Sequence, residues 1–314
     1  MSVKPIIESL EMLDIDDDTY FKEYASYISN SRLSLINPEQ DGNPDKYLNN
    51  AHSFSSSLTL GSAVHQMVLQ GDEFCIVDEV DRPTAKMGNM ADYLYKYYLE
   101  GGVSNEDVIA ASNAINYYKG KMNDDKIVNV FEKCTKYWED RKVYEEQLLP
   151  EIPIYLDPKS RKTANDCIRS VLYNKSISNL LNPVDSKSYN EATFLIDFEV
   201  DGKILKFKAK LDNFTINEDF GIVVLNDLKT TGHYVDQFDQ SFEKYHYFRQ
   251  MSVYAWLLKL WCQKIGIEIT SFTTNMLLVS TVNAESKVYK VGKSQIIRGV
   301  KEFNYLMSLV SKYY

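Results

Sequence analysis

The sequence predicts a mixed α/β fold, and three observations carry that prediction. Two stretches alternate apolar and polar residues, Thr193–Val200 and Leu205–Asp212, and the Asp201-Gly202 pair between them reads as a type I′ hairpin turn. A fully apolar run, Ile222-Val223-Val224-Leu225, marks a central strand. Helical periodicity dominates two long regions, about 84–182 and 241–264.

The elements follow in order. Residues 1–30 are acidic and read as helical, with Asp-Ile-Asp-Asp-Asp at 14–18 as a solvated or N-capping turn. Positions 31–55, rich in Asn, Pro, Asp and Ser, read as irregular. A helix begins near Ser57, carries Leu60, Ala63, Val64, Met67 and Val68 on one face, and ends at Gly71; His65 lies inside it. From 84 to 182, Tyr93, Tyr97 and Tyr98, then Val108, Ala111, Ile115 and Tyr118, recur at helical spacing. Gly101-Gly102 and Gly120 separate segments, Pro150 and Pro153 interrupt the pattern, and Ser160–Leu181 is a further amphipathic helix. After Glu191 come the hairpin, a third strand over about 221–229, a long helix Ser241–Lys264, a strand Phe272–Val282 and a closing helix Ser294–Tyr313. The expectation is one domain over 1–314, with a core at about 55–70 and 190–314 and a helical arm at about 75–185.

Composition narrows the function classes. At 314 residues, 44% hydrophobic and 25% charged, the chain is ordinary for a globular protein able to bury a substantial core. No stretch approaches a membrane span, and the N-terminus lacks a signal peptide's apolar core, so no membrane partner and a cytoplasmic location are expected, the host cytoplasm if the chain is phage-encoded. Cys75, Cys134, Cys167 and Cys262 form no C-x-x-C pair, which argues against a zinc site, an iron–sulfur cluster or a disulfide framework. The net charge of −9 counts mildly against nucleic acid, although a nuclease needs only a local basic groove. The 23 tyrosines, many beside lysines, offer stacking surface for single strands, but core-edge packing is the commoner role for most of them.

The chemistry is concentrated between Asp212 and Tyr254. A strand has a period of two, so Asp227 and Lys229 share one side of theirs. A carboxylate there can hold a divalent cation, the Leu228 carbonyl can add an oxygen ligand, and the ammonium can stabilise developing charge. An isolated Asp-x-Lys at a strand end is usually ordinary surface. Asp212 changes the odds, because it ends the preceding strand and can share a metal with Asp227. A two-residue turn at Asp201-Gly202 pairs positions summing to 403, which sets Glu191 opposite Asp212, where two acids repel unless a cation lies between them. Lys206, Lys208 and Lys210 share that face, more simply as a solvated face paired with Asp197 than as a DNA contact, with Lys210 nearest the acids. Gln250 and Tyr254 are one helical turn apart, and His65, with Gly61 four residues before it, reads alone as a satisfied core histidine.

In the order Gly61-x-x-x-His65, Asp212, Asp227-x-Lys229, Gln250-x-x-x-Tyr254, the chain resembles the PD-(D/E)xK nuclease superfamily, in particular its RecB-like and exonuclease VIII (RecE-like) branch. The matching segments cover roughly 55–70 and 190–260, and 75–185 carries no matching motif. The resemblance implies a restriction-endonuclease-like mixed central sheet flanked by helices, with a helical insertion, and Mg2+- or Mn2+-dependent cleavage of DNA. It implies His65, Asp212 and Asp227 as metal ligands, Lys229 as the catalytic lysine, and Gln250 and Tyr254 as supports that contact substrate. It further implies an exonuclease of phage-type recombination or replication, a homo-oligomeric ring, or a recombination partner such as a single-strand annealing protein. Asp227 stands where many relatives carry Glu, and no Walker-type phosphate loop is present. Two rivals stand beside this reading: a non-catalytic DNA-binding or structural member of the same fold, and a magnesium enzyme acting on small phosphorylated substrates.

Overall fold

The computed structural model describes residues 3–49, 56–118, 121–147 and 150–314; Gly120 and the stretch 50–55 lie outside them. Numbered along the chain, the strands are β1 (Val3–Leu13), β2 (Phe74–Ile76), β3 (Ile152–Ile154), β4 (Lys187–Val200), β5 (Lys203–Asn217), β6 (Ile222–Thr231), β7 (Ser271–Ser280) and β8 (Ser286–Lys290). The helices are α1 (Asp17–Lys22), α2 (Asn30–Ser34), α3 (Pro44–Asn49), α4 (Ser56–Leu69), α5 (Ala85–Leu99), α6 (Asn105–Ala114), α7 (Asp124–Glu145), α8 (Pro158–Tyr173), α9 (Lys175–Leu181), α10 (Phe238–Lys244), α11 (Tyr247–Lys264) and α12 (Lys293–Val310). Among the described residues, no helix is long and apolar enough to cross a membrane. Two compact units result, one from Met1–His52 with Ser170–Tyr314 and one from Ser53–Arg169. The sequence places its arm at about 75–185; in the structure 55–70 go with the helical unit and 170–185 with the sheet unit.

The sheet unit has the mixed α/β architecture expected. Six strands run in the order β1-β4-β5-β6-β7-β8, antiparallel except for the parallel pair β6–β7. The β4–β5 hairpin turns on Asp201 (φ 49) and Gly202 (φ 80), the two positive φ angles a type I′ turn requires. Its register, from Val200↔Lys203 onward, pairs positions summing to 403 as predicted. Residues Phe194, Phe198, Phe207, Phe214, Leu225 and Leu278 join Trp261 and Leu257 of α11 and Phe303 of α12 in one core. Helices α11 and α12 touch closely at Gly299, where a Cβ would stand 2.2 Å from the Phe248 carbonyl oxygen.

Several expectations are corrected. Val3–Leu13 form strand β1, not a helix, with a register shift between Ile6 and Glu11. As an edge strand it tolerates Pro5, and it completes the open side of β4. The acidic turn does cap a helix: Asp16 accepts the Thr19 amide at 2.7 Å. The long helix over 241–264 is two, α10 and α11, broken where His246 takes a left-handed φ of 52 and its Nδ1 meets Glu302 at 2.9 Å. The strand expected over Phe272–Val282 ends at Ser280, and β8 follows as an unanticipated edge.

Lys208 is not part of a solvated face. It is 5% exposed, donates to the Tyr20 carbonyl at 2.7 Å, and lies 4.0 Å from the Tyr20 ring centre. Burial, aided by the Arg32 charge, pushes its ammonium down from 10.5 to about 8. The unfolded chain keeps this proton to the higher value while the folded chain releases it near the lower one, so stability contributed by this group rises with pH across that window. In Lys208→Met that rise is absent: its melting temperature, relative to the parent's, is highest at neutral pH and falls as the pH passes through the window. A constant difference at all pH values counts against this account.

The helical unit has its own core, in which Met90, Leu94, Val108, Val130 and Trp138 are fully buried. Trp138 Nε1 donates to the Ala91 carbonyl at 2.9 Å, and the Arg141 guanidinium lies 4.0 and 4.6 Å from the Tyr95 and Tyr155 ring centres. A small parallel pair, β2–β3, was hidden from periodicity by its length of three residues per strand. Cys134, Cys167 and Cys262 are buried thiols, and Cys75 is half-buried.

Candidate active site

The acids lie where the sheet opens. Pairing of β5 with β6 runs from Asn217↔Ile222 to Asn213↔Asn226 and stops there, while β6 continues along β7 to Thr231↔Ser280. Asp212 and Asp227 are the next residues on each strand. In place of a further backbone rung, the Leu228 amide donates to Asp212 Oδ2 at 2.8 Å. On the other side, β4–β5 pairing skips Glu191 and Asp212 between Asn190↔Asn213 and Ala192↔Leu211. Glu191 holds a left-handed φ of 51, uncommon for a residue with a side chain. The 403 register therefore survives on both sides of the kink, and oxygens of Glu191 and Asp212 come within 4.8 Å of each other.

Lys229 closes the group. Its Nζ stands 2.7 Å from Asp227 Oδ2, 3.8 Å from Asp212 Oδ2 and 3.3 Å from the Leu228 carbonyl oxygen. Asp227 is 0% exposed, and Gln250 Nε2 donates to its Oδ1 at 2.9 Å from the first turns of α11. Tyr254, one turn further, is buried, and burial together with the Asp227 charge holds its phenol well above 10.0. Lys210 reaches Glu191 at 3.3 Å and Asp17 of α1 at 2.7 Å.

Burial and charge explain the titration behaviour. Burial raises the Glu191 carboxyl to about 7, with the Asp212 charge adding to it and Lys210 opposing. Asp212 is raised by burial as well, against Lys229 and the Leu228 amide. Burial alone would lower Lys229, but the Asp227 and Asp212 carboxylates outweigh it and hold the ammonium above its usual value. The partly or fully buried Glu191, Asp212 and Asp227, with the exposed Asp17, face Lys229 and Lys210, so carboxyl groups outnumber ammonium groups at the site. An oxygen-rich donor set in which carboxyl groups outnumber ammonium groups fits a hard divalent cation, with Asp212, Asp227, Glu191 and the Leu228 carbonyl as the oxygens at hand.

The structure thus brings Glu191, Asp212, Asp227, Leu228, Lys229, Gln250 and Tyr254 together. His65 is half-buried in α4 of the helical unit. Two neighbours escape sequence reading. Asp17 joins through Lys210, and Tyr247, half-buried on α11, sets its ring centre 5.8 Å from Lys229 Nζ. Tyr247 had a usable signal, since it stands three residues before Gln250 on the same helix.

No family model matches the chain, and no curated protein matches it. Among solved structures, a candidate exonuclease from Eubacterium rectale is similar over 95% of this chain and 86% of its own, at 12% identity and a TM-score of 0.41. SSO0001 is similar over 53% of this chain and 68% of its own, at 14% identity and a TM-score of 0.26. With TM-scores below 0.5, these likenesses carry no argument about this chain.

Proposed function

We propose that the protein is a divalent-cation-dependent DNA nuclease acting as an exodeoxyribonuclease. The observation that carries this reading is the buried Asp227 paired with the half-buried Lys229 at 2.7 Å, with Asp212 3.8 Å from the same ammonium, at the point where the sheet opens. Asp212, Asp227 and Glu191, with the Leu228 carbonyl, hold Mg2+ or Mn2+, and from the resemblance His65 is a further ligand. Such an ion supplies an acidified water and charge neutralisation at the phosphate. Lys229 places a fixed positive charge beside the reacting phosphoryl oxygens, half-buried and held by two carboxylates. Gln250 orients Asp227 through its amide, and Tyr254 supports the same carboxylate from one helical turn away. The RecE-like role in phage-type recombination, the ring and the annealing-protein partner belong to the same proposal and rest on the sequence resemblance alone.

The test is incubation of the purified chain with linear and covalently closed circular DNA, in magnesium, manganese or EDTA. Metal-dependent loss of linear DNA alone supports the proposal, and cutting of both forms changes it to an endonuclease. No cutting in any metal favours the non-catalytic reading. His65→Ala is expected to weaken manganese affinity, read by calorimetry, and an unchanged affinity removes His65 from the ligand set.

A further inference from the structure

One residue away from each acid, on the neighbouring row of the sheet, stands an asparagine. Asn190, Asn213, Asn226 and Asn275 occupy paired positions on β4, β5, β6 and β7. Their side chains form one continuous chain of hydrogen bonds. Asn275 Nδ2 donates to Asn226 Oδ1 at 3.0 Å, Asn226 Nδ2 to Asn213 Oδ1 at 2.8 Å, and Asn213 Nδ2 to Asn190 Oδ1 at 2.8 Å. The row is also tied to α9: Asn226 Nδ2 donates to the Leu180 carbonyl at 3.0 Å, and Ser188, bonded to Asn213, donates to the Leu181 carbonyl at 2.7 Å.

This row is poorly suited to be mere packing. Asparagine is disfavoured inside strands, and three of the four are at most 1% exposed. Asn275 Oδ1 is buried without a hydrogen-bond partner among the described residues, a cost that an apolar side chain would avoid. Its place is distinctive: Asn213↔Asn226 is the last pair before β5 and β6 separate, and the parallel pairing with β7 has no tight turn to fix its register. Interlocked amides resist a slip of one residue, which would turn Asp227 away from Asp212.

We propose that the row Asn190–Asn213–Asn226–Asn275 is a positioning device that fixes strand register at the opening of the sheet and so holds Glu191, Asp212 and Asp227 in one group. The inference rests on the reading of that group as a divalent-cation centre. These asparagines are positioning residues and touch neither cation nor substrate.

The experiment compares the full chain with Asn226→Leu and with Phe303→Leu, a core variant remote from the row that serves as the stability control. Three readouts are taken: manganese affinity by calorimetry, exchange of the Leu228 amide without metal, and kcat and KM on linear DNA. Asn226→Leu is expected to lose manganese affinity by about 10- to 100-fold, as for other groups that orient ligands. Its Leu228 amide exchanges faster because Asp212 no longer stays in place, and kcat falls while KM for DNA holds. Phe303→Leu shows none of these changes beyond its lower melting temperature. Affinity and exchange in Asn226→Leu within about twofold of the parent, or equal losses in Phe303→Leu, overturn the proposal. If Asn226→Leu does not fold, Asn275→Ala cuts only the terminal bond, with a smaller loss of affinity and faster exchange expected; no change in either overturns the proposal. A parent chain that neither binds manganese nor cuts DNA refutes the nuclease reading, while the Leu228 exchange still decides whether the row positions Asp212.

Discussion

Asp227→Ala is expected to lower metal-dependent DNA cleavage by about a hundredfold to a thousandfold, the usual cost of removing one preorganised charge from a water-poor site. Asp227 is placed to act at several points at once. It is 0% exposed, pairs with Lys229 at 2.7 Å and accepts from Gln250 at 2.9 Å. Its loss therefore removes a proposed cation ligand and releases both supporting groups. Asp227→Asn, which keeps shape and the Gln250 contact and leaves Lys229 with Asp212 at 3.8 Å, is expected to fold with lower stability than the parent and still lose cleavage. Initial rates on linear DNA in saturating magnesium measure both variants, and near-parental cleavage by Asp227→Asn would falsify the role given to this carboxylate.

Lys229→Met carries the second large effect, on stability. Removing one partner of a buried ion pair leaves the other charge uncompensated, at a cost of about 3–5 kcal/mol. That is a large fraction of the roughly 5–15 kcal/mol that holds a typical domain together. Asp227 is the group stranded, since Lys229 is its counter-charge at 2.7 Å and no solvent reaches it. Adding Asp227→Asn to Lys229→Met removes the stranded charge and is expected to recover most of the loss. Urea unfolding of the parent, both single variants and the double variant, all in EDTA, gives the coupling directly. A double variant no more stable than Lys229→Met would show that the pair is not what the lysine supports.

The parts of the site written in short-range rules were legible in the sequence. Asp201-Gly202 fixes a two-residue turn, the turn fixes the register, and the register brings Glu191 opposite Asp212. The period of two likewise puts Asp227 and Lys229 on one side of β6. What was hidden depends on partners distant in sequence. β1 is a strand because β4 leaves an edge open almost two hundred positions later, as the Val3↔Val200 pair shows. The break at His246 is held by Glu302 on another helix, and the burial of Lys208 depends on Tyr20. The asparagine row becomes visible only when β6 and β7 are aligned, and no local turn aligns them.

The pairing of β1 also has a kinetic side. The partners of Val3–Leu13 lie at Thr193–Val200, so ribosomal synthesis delivers the strand long before anything exists for it to join. Residues 53–169 emerge in between and include a hydrophobic cluster of their own, from Val77 to Tyr155. Vectorial synthesis thus favours early collapse of the helical unit, with the leading segment waiting as an unpaired strand until the β4–β5 hairpin leaves the exit tunnel. The acids become neighbours only when β5 and β6 follow, and Gln250 joins them later still from α11, so the site is assembled after the helical unit has been synthesised.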